Sequence, residues 1–222
     1  MLGKRSTGTR RIAAAGAVAA LAASVVLTAP AANAATVQCG DNCEALYTLL
    51  YGTADVIAVA GASGTSAHTG QPVALLAASG TNQGEDWYLE DEGTVEDFYE
   101  AGYVTSSFNL HYSGDEVYEY DYIPDGVYTG ECLGVAGTAG NGAPVSLQPC
   151  GVSAHTLWAA DTADQYERQL PLINGTDNDF SFPYVLTADT AGKTMSTHML
   201  TGGDGVIDQG QYWGTEFGVL PS

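Results

Sequence analysis

Apolar and polar positions along the chain alternate in short runs, separated by Gly, Pro, Asn and Asp. Runs of this length and spacing read as β-strands joined by turns. The clearest cover residues 45–51, 73–77, 108–112, 126–129 and 182–187. From Glu116 to Tyr122 the period is two, so Tyr118, Tyr120 and Tyr122 share one face and Glu119 and Asp121 the other. No long stretch holds a helical period. Residues 159–170 have room for one helical turn, and the rest predicts a nearly all-β chain.

The pattern also recurs. One copy reads Val56-Ile57-Ala58-Val59-Ala60-Gly61, then Gln71-Pro72-Val73-Ala74-Leu75, then Trp87. A second reads Cys132-Leu133-Gly134-Val135-Ala136-Gly137, then Ala143-Pro144-Val145-Ser146-Leu147, then Trp158. A fainter third reads Val185-Leu186-Thr187-Ala188, then Thr197-His198-Met199-Leu200, then Gln211-Tyr212-Trp213. The three Trp of the chain fall one to a copy. The copies are unequally spaced, which does not suit a solenoid stacked at constant period. It suits a closed all-β domain with pseudo-threefold symmetry and loops of variable length.

The middle copy carries more. It runs from Gly130-Glu131-Cys132-Leu133-Gly134 through Asn141-Gly142-Ala143-Pro144-Val145-Ser146-Leu147-Gln148-Pro149-Cys150 to Trp158. This order of Cys-Leu strand, Gly-rich turn, Pro-Val strand, second Cys and Trp resembles one repeat of a ricin-type β-trefoil. Gln211-x-Trp213 is similar to the Gln-x-Trp signature of that family. The likeness covers roughly residues 46–222. It implies a β-trefoil whose interior is filled by Trp87, Trp158 and Trp213. It also implies a Cys132–Cys150 disulfide. The four Cys allow three pairings, and this one leaves Cys39–Cys43 as the other. Members of the family bind galactose-like sugars, often as modules of enzymes or toxins, so the resemblance implies a carbohydrate-binding protein.

The residues that make such a sugar site are replaced, however. An Asp is needed two residues after the Cys, and Ala58, Gly134 and Thr187 stand there. An aromatic platform is needed after the Pro-Val strand, near Leu76, Gln148 and Leu200. Gly210 precedes Gln211 where a polar residue is used, and copies one and two read Glu85-Asp86-Trp87 and Thr156-Leu157-Trp158. The expectation is a lectin-like scaffold with altered or lost specificity. Gln211 and Asp189, two residues beyond Thr187, are the remaining candidates for a sugar contact.

Composition narrows the partners. Lys4, Arg5, Arg10 and Arg11 precede an apolar Ala-rich run, and Ala32-Asn33-Ala34 offers a small-x-small cleavage site. Residues 1–34 therefore read as a secretory signal, 35–45 as a short segment holding Cys39 and Cys43, and 46–222 as the trefoil. The four Cys fit an oxidising, extracellular space, and the signal is of bacterial style. Beyond it only Arg168 and Lys193 are basic, against 26 acidic residues. Nucleic acid and anionic membranes are repelled by such a surface. Neutral glycans or a basic protein are the expected partners, with the protein itself a monomer.

Between Trp87 and Cys132 the chain is about 18 residues longer than in the matching part of copy two, and it is dense in acids and Tyr. This insertion between repeats one and two pairs flat apolar rings with strong acceptors, the groups sugars prefer. Tyr112, Tyr118, Tyr120 and Tyr122 with Asp121 are therefore candidate ligand-binding residues. The competing expectation is a hairpin whose Tyr face packs on the barrel while its acids face water. Clusters such as Asp86, Glu90, Asp91 and Glu92 suit weak calcium binding, but no loop has the EF-hand pattern, and no cofactor is indicated. No nucleophile or zinc-protease motif occurs, so a non-enzymatic protein is expected. The alternative to a lectin is a trefoil that binds proteins, as a surface-interaction protein or a protease inhibitor.

Overall fold

Twelve strands account for most of the apolar runs. Repeat one comprises β1 (Cys43–Thr48), β2 (Gly52–Val59), β3 (Val73–Ala77) and β4 (Trp87–Thr94). Repeat two comprises β5 (Glu116–Tyr122), β6 (Glu131–Val135), β7 (Ala143–Pro149) and β8 (Trp158–Ala160). Repeat three comprises β9 (Leu172–Asn174), β10 (Tyr184–Thr187), β11 (Ser196–Met199) and β12 (Trp213–Phe217). The structure is a computed structural model. It describes residues 43–61, 67–78, 83–151, 153–164, 169–179, 181–188, 194–201 and 208–217, all within one compact unit. The expected signal, the Cys39–Cys43 pairing and Asp189 lie outside the described residues.

The outer strands of each repeat form a barrel. Antiparallel pairings run β12–β1–β4–β5–β8–β9. Leu170 and Trp213 close the ring, each donating its N–H to the other's carbonyl at 3.0 Å. Closure removes the sheet edges that would otherwise invite pairing with another chain. The inner strands form the hairpins β2–β3, β6–β7 and β10–β11. These meet one another, Pro72 opposite Ser146, Ala74 opposite Thr194 and Ser196 opposite Pro144. A six-stranded barrel capped by three hairpins in threefold array is a β-trefoil.

Alternation fills the barrel. Leu46, Trp87, Tyr120, Tyr122, Trp158 and Trp213 belong to one core cluster with Ile57, Leu75, Leu133 and Leu147 of the hairpins. A buried indole N–H needs an acceptor, and each repeat supplies it alike. Trp87 donates to the Ile57 carbonyl at 3.0 Å, Trp158 to Leu133 at 2.9 Å and Trp213 to Leu186 at 2.8 Å. The Cys132–Cys150 disulfide is present, with Cα atoms 5.1 Å apart, tying β6 to the end of β7.

The insertion is not a plain hairpin. β4 and β5 pair from Trp87–Tyr122 out to Thr94–Glu116, and two helices lie between them, α1 (Val95–Glu100) and α2 (Ser106–Tyr112). Residues 108–112, expected as a strand, are thus helical. Phe108 and Tyr112, four apart, are buried while Leu110 between them is 80% exposed, which is a helical period and not a strand period. The starts are capped: Thr94 and Asp97 form a reciprocal capping box, and Thr105 accepts the Phe108 N–H. Val95, Phe98, Phe108 and Tyr112 make a second cluster with Leu157, Ala159, Ile173 and Val185. Burying each of the two Phe contributes about 1.5–3 kcal/mol, enough to hold helices too short to persist alone.

Two further expectations are corrected. Residues 126–129 form no strand: Pro124 starts a 3-10 turn, Gly126 has φ 71°, and the Thr129 hydroxyl bonds the Tyr122 carbonyl. Of 159–170, Ala159 and Ala160 belong to β8, and no helical turn occurs in the described part. The barrel claims those residues for pairing.

Candidate functional site

Strand register fixes which residues are equivalent in the three repeats. Ile57 faces Leu75, Leu133 faces Leu147 and Leu186 faces Thr197. Ala58, Gly134 and Thr187 follow on the second strands, as read from the sequence. The platform position follows on the third strands and is Leu76, Gln148 and His198. Leu200 is displaced from that role by two residues and packs instead against the second core cluster. The weak pattern of β11 (Ser196–Met199) hid its register.

In repeat two the position is closed. A Cβ on Gly134 would meet the His155 carbonyl at 2.7 Å and Gln148 Cγ at 2.9 Å. The Gln148 side chain donates to Ser146 Oγ at 2.9 Å, and Val135 N–H holds the His155 carbonyl in place at 3.0 Å. There is no room for a carboxylate. Repeat one presents buried Ala58 with Ala74 opposite, and Leu76 beside them, an apolar arrangement with no donor or acceptor side chain.

Repeat three is different. Tyr184, Thr187, His198, Asp208 and Gln211, with Asn141 from the turn of repeat two, line an open depression of about 530 Å³. Gln211 forms its floor. It is buried, and its amide donates to Thr187 Oγ1 at 3.3 Å and the Met199 carbonyl at 2.8 Å. Its Oε1 accepts from Thr201 N–H at 2.9 Å and Thr201 Oγ1 at 3.0 Å. With both ends engaged, Gln211 is a strut rather than a free contact. Gly210 before it has no space for a side chain, because a Cβ would come within 2.4 Å of the Ala188 carbonyl. Asp208, exposed at the rim, caps the short 3-10 turn Gln209–Gln211, its Oδ1 accepting the Gly210 N–H at 3.0 Å. His198 Nδ1 lies 2.9 Å from Asn141 Oδ1. With Nδ1 donating to that carbonyl oxygen, Nε2 is the ring's acceptor. The depression thus offers a carboxylate, an amide, an imidazole and a phenol ring within one concave surface.

Sequence reasoning did not single out Tyr184, Asn141, His198 or Asp208 as site residues. The Thr187 and Gln211 positions pointed toward the depression; the slipped register of β11 concealed His198.

The candidates from the insertion do not come together at a surface. Tyr112 packs on Phe108, ring centroids 5.1 Å apart, and burial next to Asp161, Asp177 and Asp115 pushes its phenol upward. Tyr120 and Tyr122 lie in the barrel core, Tyr122 5.6 Å from Trp87. Tyr118 is half-buried and donates to the Glu116 carboxylate. Asp121 is buried beside the disulfide, with its Oδ1 2.6 Å from Cys132 Sγ and 3.3 Å from Cys150 Sγ. Both sulfurs are spent in the disulfide, so this group offers no thiolate to a metal. The period-two pattern of Tyr was the inward face of a barrel strand.

Several acids are buried away from any described cation; Arg168 and Lys193 lie outside the described residues. Asp161, after β8, accepts from Ala163 and Asp164 N–H, yet burial and the nearby Asp164 charge push its carboxyl up to about 6. Burial likewise raises Asp177, which accepts from Asp179 and Tyr184 N–H. Among the described residues no helix is long and apolar enough to cross a membrane.

No family model matches the sequence, and neither does any curated protein. Solved structures do match. A designed threefold-symmetric protein, ThreeFoil, has 19% identity and TM-score 0.52 over 79% of this chain and 98% of its own. A mosquitocidal holotoxin has 12% identity and TM-score 0.50, over 79% of this chain and 17% of its own. A Polyporus squamosus lectin, solved with a sialylated influenza-binding epitope, has 11% identity and TM-score 0.48, over 80% and 49%. The near-complete cover of ThreeFoil and the threefold topology agree, and the chain has the β-trefoil fold.

Proposed function

We propose that this protein is a non-enzymatic, exported lectin-like trefoil that binds a neutral glycan at the third repeat alone. One observation carries the reading: among the described residues, the position of repeat three opens into a depression lined by polar side chains, while that of repeat two is closed and that of repeat one presents Ala58, Ala74 and Leu76. The family's carboxylate has moved. Asp208, anchored by its Gly210 bond, takes over as acceptor for sugar hydroxyls. Tyr184 and His198 supply flat faces for the sugar's C–H side. The excess of 26 acids over the two bases beyond the signal favours uncharged sugars over sialylated or phosphorylated ones. The N-terminal pattern and the disulfide support export. The dispersed acids support calcium binding that is weak and unneeded for the sugar.

A glycan array of the mature chain, run with calcium and with chelator, tests this. Binding to neutral glycans in both conditions, reduced about tenfold by Asp208→Asn with the melting temperature held, is the expected result. No glycan bound in either condition overturns it. The second reading is a trefoil that binds a protein. It draws on the helical insertion, where Tyr99, Tyr103 and Leu110 are exposed beside Glu96 and Glu100. A basic partner with salt-sensitive affinity is its signature.

A further inference from the structure

The Asp121 carboxylate stands against two sulfurs that carry no hydrogen. Its Oδ1 is 2.6 Å from Cys132 Sγ and 3.3 Å from Cys150 Sγ, and a disulfide has no S–H to donate to it. Reduction would change what this group can do. Asp121, Cys132 and Cys150 each offer one ligand atom, and the three atoms lie within 4.8 Å of one another. Ligands held about 2.0–2.3 Å from a tetrahedral zinc stand roughly 3.3–3.8 Å apart, so a small opening of the sulfur pair suffices. The backbone keeps the three together without the bridge. β6 and β7 pair from Glu131–Pro149 to Val135–Val145, Cys150 N–H donates to the Gly130 carbonyl at 3.0 Å, and β5 sets Asp121 opposite Cys132.

A neighbouring side chain points to a ligand as well. Glu119, two residues before Asp121 on the same face of β5, is 3% exposed, and its Oε1 has no hydrogen-bond partner. Its Oε2 accepts the N–H of Gly151, the residue after Cys150, at 3.3 Å. That bond brings the carboxylate beside the two cysteines with one oxygen unspent. A buried carboxylate oxygen without a donor is costly, and a cation relieves it. Two sulfurs with carboxylates suit zinc better than calcium, which takes oxygen ligands alone.

We propose that Cys132 and Cys150, once an external dithiol has opened their bridge, join Asp121 in a site for one zinc ion, with Glu119 as the fourth ligand. The dithiol attacks Cys150, which is partly exposed, and buried Cys132 is the leaving sulfur. The Cys132–Cys150 bond breaks, the dithiol gives up two electrons and closes to a cyclic disulfide, the two thiolates take the zinc, and two protons pass to solvent. Cobalt is the probe, because thiolate ligation gives it an ultraviolet charge-transfer band and tetrahedral ligation an intense visible one. The mature chain carrying Cys39→Ser and Cys43→Ser, so that one bridge remains, is reduced with a phosphine, which does not compete for the metal as a dithiol would. It should bind one cobalt ion with both bands, and one equivalent of zinc should displace it. The oxidised protein should show neither band. Asp121→Asn and Glu119→Gln should each weaken zinc binding about tenfold or more while circular dichroism stays native. If reduction alone loosens the fold, zinc should restore its circular dichroism and melting transition. No charge-transfer band in the reduced protein overturns the proposal, as do bands in the oxidised protein or a loosened fold that zinc leaves unrestored. Unchanged zinc affinity in Asp121→Asn also overturns it, since a bare thiol pair would then account for the binding. Unchanged affinity in Glu119→Gln overturns the role of Glu119.

Discussion

Repeat two carries the more regular trefoil pattern and repeat three the open depression. Repeat two has the disulfide, the full strand–turn–strand pattern and a Gly where a sugar-binding carboxylate belongs. That Gly is required by the scaffold: the His155 carbonyl and Gln148 occupy the volume its side chain would need. Repeat three has no disulfide among the described residues and a barely legible third strand, yet its depression is walled by Asp208, His198 and Tyr184. Features that make a repeat recognisable maintain the backbone. Features that make a site are set by what the loops leave uncovered, and the two are free to drift apart.

The sharpest way to break this contrast is to restore the family's carboxylate at both places. Gly134→Asp should cost about 3–5 kcal/mol through collision and burial of a charge, and gain no sugar binding. Thr187→Asp, where a Cβ already stands and Gln211 Nε2 is within reach, should fold and bind galactose-like sugars more tightly. Chemical denaturation and sugar titration of the pair decide it; equal stability of the two variants would erase the distinction.

Next in size is the bridge. Cys132→Ser with Cys150→Ser should lower stability by about 2–4 kcal/mol and leave the proposed glycan binding at repeat three intact. A loss of sugar binding in the folded double variant would couple the two repeats.

The acids give a pH test. Asp161 ionises near 3.8 when unfolded and about 6 when folded, so stability is full below pH 3.8 and falls as pH rises through 6. Asp177, also raised, acts in the same direction. Asp161→Asn, keeping the acceptor for Ala163 and Asp164 N–H, should flatten that decline and stabilise the protein at pH 7 by about 2 kcal/mol. Melting temperatures from pH 3.5 to 7.5 show it; a flat wild-type profile would refute it.

Smaller still is the floor of the depression. Gln211→Ala leaves Thr201 N–H and the Met199 carbonyl unpaired and should cost about 2 kcal/mol or less, with water replacing part of the loss. Sugar affinity should fall with it, whereas the equivalent Thr156→Ala in repeat two should leave sugar affinity unchanged.

The trefoil was legible because its causes are local and repeated: three Trp, the Pro-Val strands and the Cys132–Cys150 pair. The helices were not, because Phe108, Leu110 and Tyr112 satisfy a period of two as well as a period of four, and only the caps at Thr94 and Thr105 distinguish them. The site was half legible. Thr187 and Gln211 were placed from the Trp, but His198 needed a strand register that the four weakly patterned residues of β11 do not reveal. The Tyr of β5 misled for a physical reason: inside a barrel, one face of aromatic residues is core, whatever ligand the same side chains would suit outside.

Each indole N–H is bonded to a carbonyl of its own repeat, Trp87 to Ile57, Trp158 to Leu133 and Trp213 to Leu186. The helical insertion falls between β4 and β5, where one repeat ends and the next begins, and crosses none of these bonds. That boundary is therefore a seam at which the chain tolerates rearrangement. β1 and β12 lie side by side, Glu44 opposite Phe217, so a linker from Phe217 to Cys43 and a new opening between α1 and α2 yield a circular permutant in which every tryptophan keeps its acceptor.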